Sequence, residues 1–216
     1  MQTLPNIADS IIRQVQGGIR TDETKFSIPY LYSVIHEARA SVIKALFTQE
    51  RRIQSSWTQI VIPDFNADLQ DNDCCVKFEV PATIALDKKT DGLLYVGEIN
   101  KNCAFRKVIS RAELSTINKH RTSKAIKFLY SEGTLEIYSN PLLKEVMVDG
   151  IFANPTLIPT YNIALSEYPI DDMLLNQLKI SVMQILGVEA QTGEDKINNM
   201  SDNSNDGGRE SKQKTR

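Results

Sequence analysis

Two histidines, three cysteines and a knot of aspartates are the residues of this 216-residue chain whose types and spacing could do chemistry. His36 and His120 lie far apart, and neither has a partner at a metal-binding spacing. His36 falls in a helix-period stretch, one place from its apolar stripe, where a structural or surface role outweighs catalysis. Cys74, Cys75 and Cys103 fall in strand-like stretches, where cysteine behaves as a small hydrophobe. Their number and spacing make neither a disulfide framework nor a zinc site. Asp64, Asp68, Asp71 and Asp73 share one loop and would suit a divalent cation, but their order is not that of a calcium loop, and a solvated loop is the simpler reading. There is no nucleotide-binding glycine loop, no Gly-x-Ser-x-Gly elbow and no paired-histidine motif. No catalytic residue, metal ligand or cofactor site is therefore expected.

One segment has a marked charge bias. Between Lys101 and Lys127 stand Arg106, Lys107, Arg111, Lys119, Arg121 and Lys124, opposed only by Glu113. The run is either a solvated loop or a patch that meets DNA phosphates or an acidic protein face. No aromatics are interleaved from Arg111 to Lys124, so contact would be with the backbone and not with stacked bases. The net charge of −2 argues against a general nucleic-acid binder. A composition of 41% hydrophobic and 24% charged residues is that of a soluble globular protein. No apolar run approaches the roughly 20 residues that span a bilayer, so no membrane partner is expected. The N-terminus lacks a basic region followed by an apolar run, which predicts a chain made and kept in a reducing cytoplasm.

The elements that must position these residues follow from periodicity. Residues 4–16 read as a helix with Leu4, Ile7, Ile11 and Val15 on one face and Gly17-Gly18 as its stop. After a polar joint, Arg20 to Lys25, residues 27–50 form the strongest helix, with Ser27 as N-cap and Pro29 in its first turn. Its stripe is Ile28, Leu31, Tyr32, Ile35, Ala38, Val42 and Leu46, widened by Ile43 and Phe47. Residues 57–152 are strand-rich. Trp57–Ile62 and Cys75–Val80 read as strands, Leu93–Ile99 and Ala104–Ile109 as a hairpin around Asn100-Lys101-Asn102, and Ile126–Tyr130 with Leu135–Tyr138 as a second hairpin. Ser110 and Glu113 have capping-box spacing. Val146–Phe152 is the last strand, with Gly150 a candidate bulge. A Pro- and Thr-rich loop then leads to a final helix over residues 170–186, with Asp171 and Asp172 in its first turn and Leu174, Leu178, Val182 and Ile185 as its buried stripe.

Helices at both ends of a strand-rich middle predict an α+β fold: terminal helices packed as a bundle, a central antiparallel β region, and one domain over residues 1–186. Residues 187–216 contain no aromatic and no leucine, and their polar composition predicts a disordered or extended arm. It is either a frayed terminus or a docking arm whose few apolar anchors are Ile197 and Met200.

The order of these segments also carries a resemblance. It rests on the Trp57-led strand, the hairpin Lys127-Phe-Leu-Tyr-Ser-Glu-Gly-Thr-Leu-Glu-Ile-Tyr138, then Val148-Asp-Gly-Ile-Phe-Ala-Asn-Pro155 and Tyr168-Pro-Ile-Asp-Asp172 opening an apolar helix. Over roughly Thr21 to Leu186 the chain resembles the ring, or head–tail connector (adaptor), proteins of crAss-like tailed bacteriophages. That resemblance implies a non-enzymatic virion protein at the head–tail interface, a homo-oligomeric ring of twelve copies around the DNA channel. Its partners would be the portal protein and adjacent ring or tail proteins, with non-specific DNA backbone contact in the channel. Arg111, Lys119, Arg121, Lys124, Ile197 and Met200 are the expected interface residues. A cytoplasmic assembly factor or binding module that does not stay in the particle is the alternative.

Overall fold

In a computed structural model the chain is described over residues 2–16, 26–63, 75–87, 90–101, 103–110, 112–113, 126–131, 133–138, 143 and 145–187. Helix α1 spans Leu4–Val15, with Pro5 in its first turn and Leu4, Ile7, Ala8, Ile11 and Ile12 buried along one stripe. Helix α2 spans Ile28–Glu50. Ser27 occupies the N-cap position, but its side chain makes no capping bond, so the preset φ of Pro29 is the remaining start signal. The helix ends on Arg51 in a left-handed turn, φ 56°, whose N–H bonds the Phe47 carbonyl at 2.8 Å while its guanidinium pairs with Asp87 at 3.0 Å. Ile28, expected in the stripe, is exposed at the first turn, whereas His36 and Arg39 are buried beside it.

The final helix starts later than its apolar spacing suggests. Asp171 accepts the Met173 N–H at 2.9 Å, a short 3-10 turn follows over Asp172–Leu174, and helix α3 runs Leu175–Ile185. Leu174, Leu178 and Val182 are buried as expected, but Ile185 is 43% exposed and Leu175 takes its place. Ile185 lies on the same face as Leu174 and Val182 but is the last residue of the helix, so its exposure reflects its place at the helix end. All three helices share one core that includes Leu31, Ile35, Val42, Ile43, Leu178 and Val182.

The strands form two sheets. β1 (Gln59–Val61), β7 (Met147–Gly150) and β3 (Leu93–Gly97) make an antiparallel sheet in the order β1-β7-β3. β2 (Cys75–Glu79), β6 (Thr134–Tyr138), β5 (Lys127–Ser131) and β4 (Arg106–Lys107) make the other, in the order β2-β6-β5-β4. In β2, Val76 and Phe78 point inward with Val80 just beyond, the predicted alternation. The β5–β6 hairpin turns on Gly133 at φ 86°.

Three strand expectations need correction. Trp57 does not lead a strand: it sits in a 3-10 turn, Ser55–Trp57, with its ring fully buried in the helical core, and pairing begins at Gln59. The 93–109 hairpin opens as expected, with Phe105 N–H bonded to the Val96 carbonyl at 2.7 Å, but its second arm then leaves. Arg106 and Lys107 pair in parallel with Lys127 and Phe128 of β5, so the β region is not wholly antiparallel. Phe105 and Val108 are buried on this path, and Phe105 joins Phe128 in the sheet core. The bulge lies not on Gly150 but across from it in β3, between Leu93 and Tyr95. Gly150 is needed there for another reason, since a Cβ would stand 3.0 Å from the Gly92 carbonyl oxygen.

Ile35→Ala and Leu178→Ala, both fully buried, should each lower unfolding free energy by roughly 2–5 kcal/mol. Ile185→Ala should stay within about 1 kcal/mol, because the side chain is already partly in water. Urea denaturation of the three variants separates the buried stripe from the apolar spacing that suggested it.

Candidate functional site

On α2, His36 and Arg39 stand three residues apart and both turn inward. Arg39 is fully buried. Its Nε donates to the Pro169 carbonyl at 2.7 Å, Nη1 to Phe152 at 2.8 Å and Nη2 to Trp57 at 3.1 Å, and the guanidinium lies 5.7 Å from the Tyr168 ring centroid. These carbonyls belong to the segment before α3, the segment after β7 and the turn before β1. Burial pushes the Arg39 pKa down, though a guanidinium stays protonated in a protein.

His36 completes the node. Its Nδ1 lies 2.8 Å from the Tyr168 hydroxyl, and the two rings stack with centroids 5.7 Å apart. Burial, helped by the Arg39 charge, lowers the His36 pKa to about 4, so the ring is neutral. Burial raises the Tyr168 pKa well above its usual value, so its hydroxyl keeps its proton and donates to Nδ1. The hydrogen on the imidazole is then on Nε2, an assignment that follows from the bonding pattern. Tyr161, its hydroxyl buried without a hydrogen-bond partner among the described residues, is likewise pushed up to about 12 by burial. The node's polar atoms serve architecture.

Beside it lies a cleft of about 460 Å³ between α2 and the loop after β7. Pro29, Tyr32, Ser33, His36, Glu37 and Ala40 line one wall, and Ala153, Asn154, Thr156 and Ile163 the other. Asn154 shapes that second wall: its Oδ1 accepts the Thr156 N–H at 3.0 Å and the Thr156 hydroxyl at 2.7 Å, capping the 3-10 turn Pro155–Leu157. Leu157 and Leu165 are exposed on the same loop.

The sequence-predicted interface residues Arg111, Lys119, Arg121, Lys124, Ile197 and Met200 lie outside the described residues, as do His120, Cys74, the aspartates 64–73 and the arm from residue 188. The described part of the basic run is less basic at the surface than its composition. Lys107 pairs with Asp91, and Lys127 is buried on β5, while Lys101 and Arg106 are exposed. At the Ser110–Glu113 spacing the Glu113 N–H reaches Ser110 Oγ at 3.3 Å, and the Glu113 carboxylate accepts the N–H of Ile109 at 2.9 Å, one residue earlier than a capping box requires. Cys103 is exposed in the turn after β3 and not in a strand. Among the described residues no group of acidic, His or Cys side chains has the makings of a metal site, and no helix is long and apolar enough to cross a membrane.

Arg39 was not singled out by sequence. Its signal was there: a charged residue four after Ile35 and three before Val42, inside the apolar stripe, where only a residue with buried partners can stand.

Replacing Arg39 with Met should strand three buried carbonyls and lower stability by roughly 3–5 kcal/mol, as read by denaturant unfolding. His36 gives a pH signature. Its folded pKa of about 4 lies below the unfolded value of 6.5, so the unfolded chain binds the extra proton and stability falls as pH drops from about 6.5 towards 4. In His36→Gln this component of the pH slope should vanish while the carboxylate-driven loss at lower pH remains. An unchanged slope would mean that the ring is not held neutral in the folded state.

A family model described as phage tail ring protein 2 matches residues 6–206 of the chain. No curated protein matches it. The family match takes in most of α1, the rest of the bundle, both sheets, the Arg39 node and nineteen residues beyond Gly187 (206 − 187 = 19). The chain belongs to the phage tail ring protein 2 family of crAss-like phages, whose name marks it as a structural component of the virion tail.

Proposed function

We propose that this chain is one subunit of a closed ring between portal and tail, docking to the portal and surrounding the DNA channel. The observation that carries this reading is the tail-ring family match over nearly the whole chain. Twelve copies, the number usual for connector rings of the kind the sequence resembles, would close it. A ring needs a heterologous contact, one surface meeting a different surface of the same chain, and a body with a separate arm suits that need. Residues 1–186 act as the body and residues 187–216 as the arm. The family match runs through Ile197 and Met200, which supports an arm that belongs to the working protein. Arg111, Lys119, Arg121 and Lys124 serve as the face towards DNA phosphates or an acidic neighbour, on the strength of their local charge excess. The subunit works as structure and not as an enzyme, a reading supported by the family and by an Arg39–His36–Tyr168 node whose bonds are spent on the chain's own carbonyls and rings.

Mass spectrometry of purified virions should find this chain in stoichiometry with the portal. Its absence from the particle would favour the assembly-factor reading instead. Within virions, simultaneous Ala substitution of Arg111, Lys119, Arg121 and Lys124 should impair DNA retention or ring assembly while leaving the subunit folded. Normal retention and normal assembly would remove those four residues from the interface.

A further inference from the structure

The outer face of the β1-β7-β3 sheet holds an unfinished contact. Directly opposite residues share one side of a sheet, and Asp149 of β7 stands between Ile60 of β1 and Tyr95 of β3. One position along, Val61, Val148 and Val96 fill the sheet core, so Ile60, Asp149 and Tyr95 point the other way. Ile60 is 47% exposed, and Ile62, just past the end of β1, is 48% exposed. Between these aliphatics and Tyr95, the Asp149 Oδ1 is closed off from solvent, and no hydrogen-bond donor among the described residues reaches it. Ile60 has none to give, and the Tyr95 hydroxyl is spent on the carbonyls of Cys103 at 3.1 Å and Glu98 at 3.2 Å. Burial raises the Asp149 pKa by more than the nearby Lys101 charge lowers it. A carboxylate oxygen shut from water is costly until a donor meets it, and a rim of aliphatics would keep water out of that contact.

We propose that Asp149 receives Arg106 of a second copy of the chain, with Ile109 of that copy packed against Ile60 and Ile62. The proposal rests on the ring-subunit reading above and names one contact that would join neighbours. Arg106 lies on β4, the edge strand of the other sheet, and is exposed with no carboxylate partner among the described residues. Three residues on, Ile109 is 88% exposed, and no large apolar side chain among the described residues is more so. The two patches are therefore complementary: a lone carboxylate between aliphatics on one, a lone cation beside an aliphatic on the other. Lys107 is already paired with Asp91. Lys44 and Arg52 are exposed cations too, but no exposed large apolar side chain lies within three residues of either. Arginine also suits a dry acceptor, being weakly hydrated and able to bond both carboxylate oxygens at once.

Within one copy the two groups belong to different sheets. Phe105 still bonds β3 through the Val96 carbonyl, but the Arg106 N–H turns to the Ile126 carbonyl and β4 joins β5. Each copy thus carries the carboxylate on the face of one sheet and the cation on the rim of the other. A contact between them is heterologous and leaves each copy a free half for the next neighbour. That is the head-to-tail form from which a ring closes.

The test uses full-length chain carrying the photo-cross-linker benzoylphenylalanine at Ile62, supplied during infection and read in purified virions. Irradiation should join residue 62 to residues 106–109 in products of dimer mass. The same junction at monomer mass would place the pair within one copy. A junction to another virion protein, or to another part of a second copy, would give the Asp149 face to a different contact. No junction at all would leave that face open in the particle. Each of these results overturns the proposal and leaves the ring reading intact, whereas absence of the wild-type chain from virions overturns both. In parallel, Asp149→Arg and Arg106→Asp, supplied singly, should each lower incorporation into virions at least about ten-fold. Supplied together they should restore it, because in alternating copies every contact regains one charge of each sign. Circular dichroism of the purified variants separates a lost contact from a lost fold, and Asp149→Asn, which keeps the side chain's shape, should lower incorporation about three-fold. Equal incorporation of all variants, or a loss in folded variants that the mixture does not relieve, would sink the pairing.

Discussion

Moving a guanidinium from water into a protein interior costs several kcal/mol even after relaxation, and the Arg39 side chain is fully buried with no carboxylate among its partners. The compensation comes from three backbone carbonyls and the face of Tyr168. Each carbonyl in turn accepts a guanidinium N–H at that depth, so the cation and the backbone satisfy each other. Through them, α2 holds the start of the C-terminal helix, the exit from β7 and the entry to β1 in one place. Helical and sheet cores meet around this point: Trp57 and Ile151 pack with the helices while their neighbours Val61 and Phe152 pack with the strands. An apolar residue at position 39 would leave three chain segments free to choose their own paths across the same surface.

That constraint accounts for two of the short segments that carry the resemblance without carrying chemistry. In Val148-Asp-Gly-Ile-Phe-Ala-Asn-Pro155, Gly150 permits a close approach to Gly92, Phe152 offers its carbonyl to Arg39, and Asn154 caps the turn that shapes the cleft. In Tyr168-Pro-Ile-Asp-Asp172, Tyr168 bonds His36, Pro169 offers its carbonyl and Asp171 starts the helix. Gly150, Asn154, Tyr168 and Asp171 are held by a steric limit or a side-chain bond and not by reactivity, while Phe152 and Pro169 give Arg39 backbone carbonyls that any residue would supply.

Legibility in the sequence tracked how local the deciding force is. Helix α1 and the β5–β6 hairpin were readable because spacing and turn residues within a dozen positions specify them. Trp57 was misassigned because its strand propensity is local while its ring is claimed by the helical core, a tertiary demand that overrides propensity. The parallel pairing of β4 was invisible for a similar reason: a hairpin signal says where a strand turns but not which sheet its second arm will join. Of the candidate site, most of the final helix's buried stripe was visible, whereas Asp171, read as a first-turn residue, is the cap of the preceding 3-10 turn, and the Arg39 node was not visible. Reading it required knowing that Trp57, Phe152 and Pro169 converge, which no pattern in the chain announces. The basic run and the arm lie outside the described residues, and their roles rest on composition and on the extent of the family match.

The hydrogen bond from the Tyr168 N–H to the Gln2 carbonyl, 2.9 Å long, ties the first-made part of the body to one of the last. Arg39 likewise waits for Pro169, 130 residues downstream. During synthesis α1 and α2 leave the ribosome before the final helix that completes their core, although Trp57, Ile84, Leu86 and Ile151 of the same core are made earlier. Completion of the bundle therefore depends on long-range contacts, which form slowly in comparison with a helix itself. A prematurely terminated chain stays recognisably unfinished to chaperones and proteases. A chain cut short of α3 would lack Leu178 and Val182, and with them one wall of the helical core.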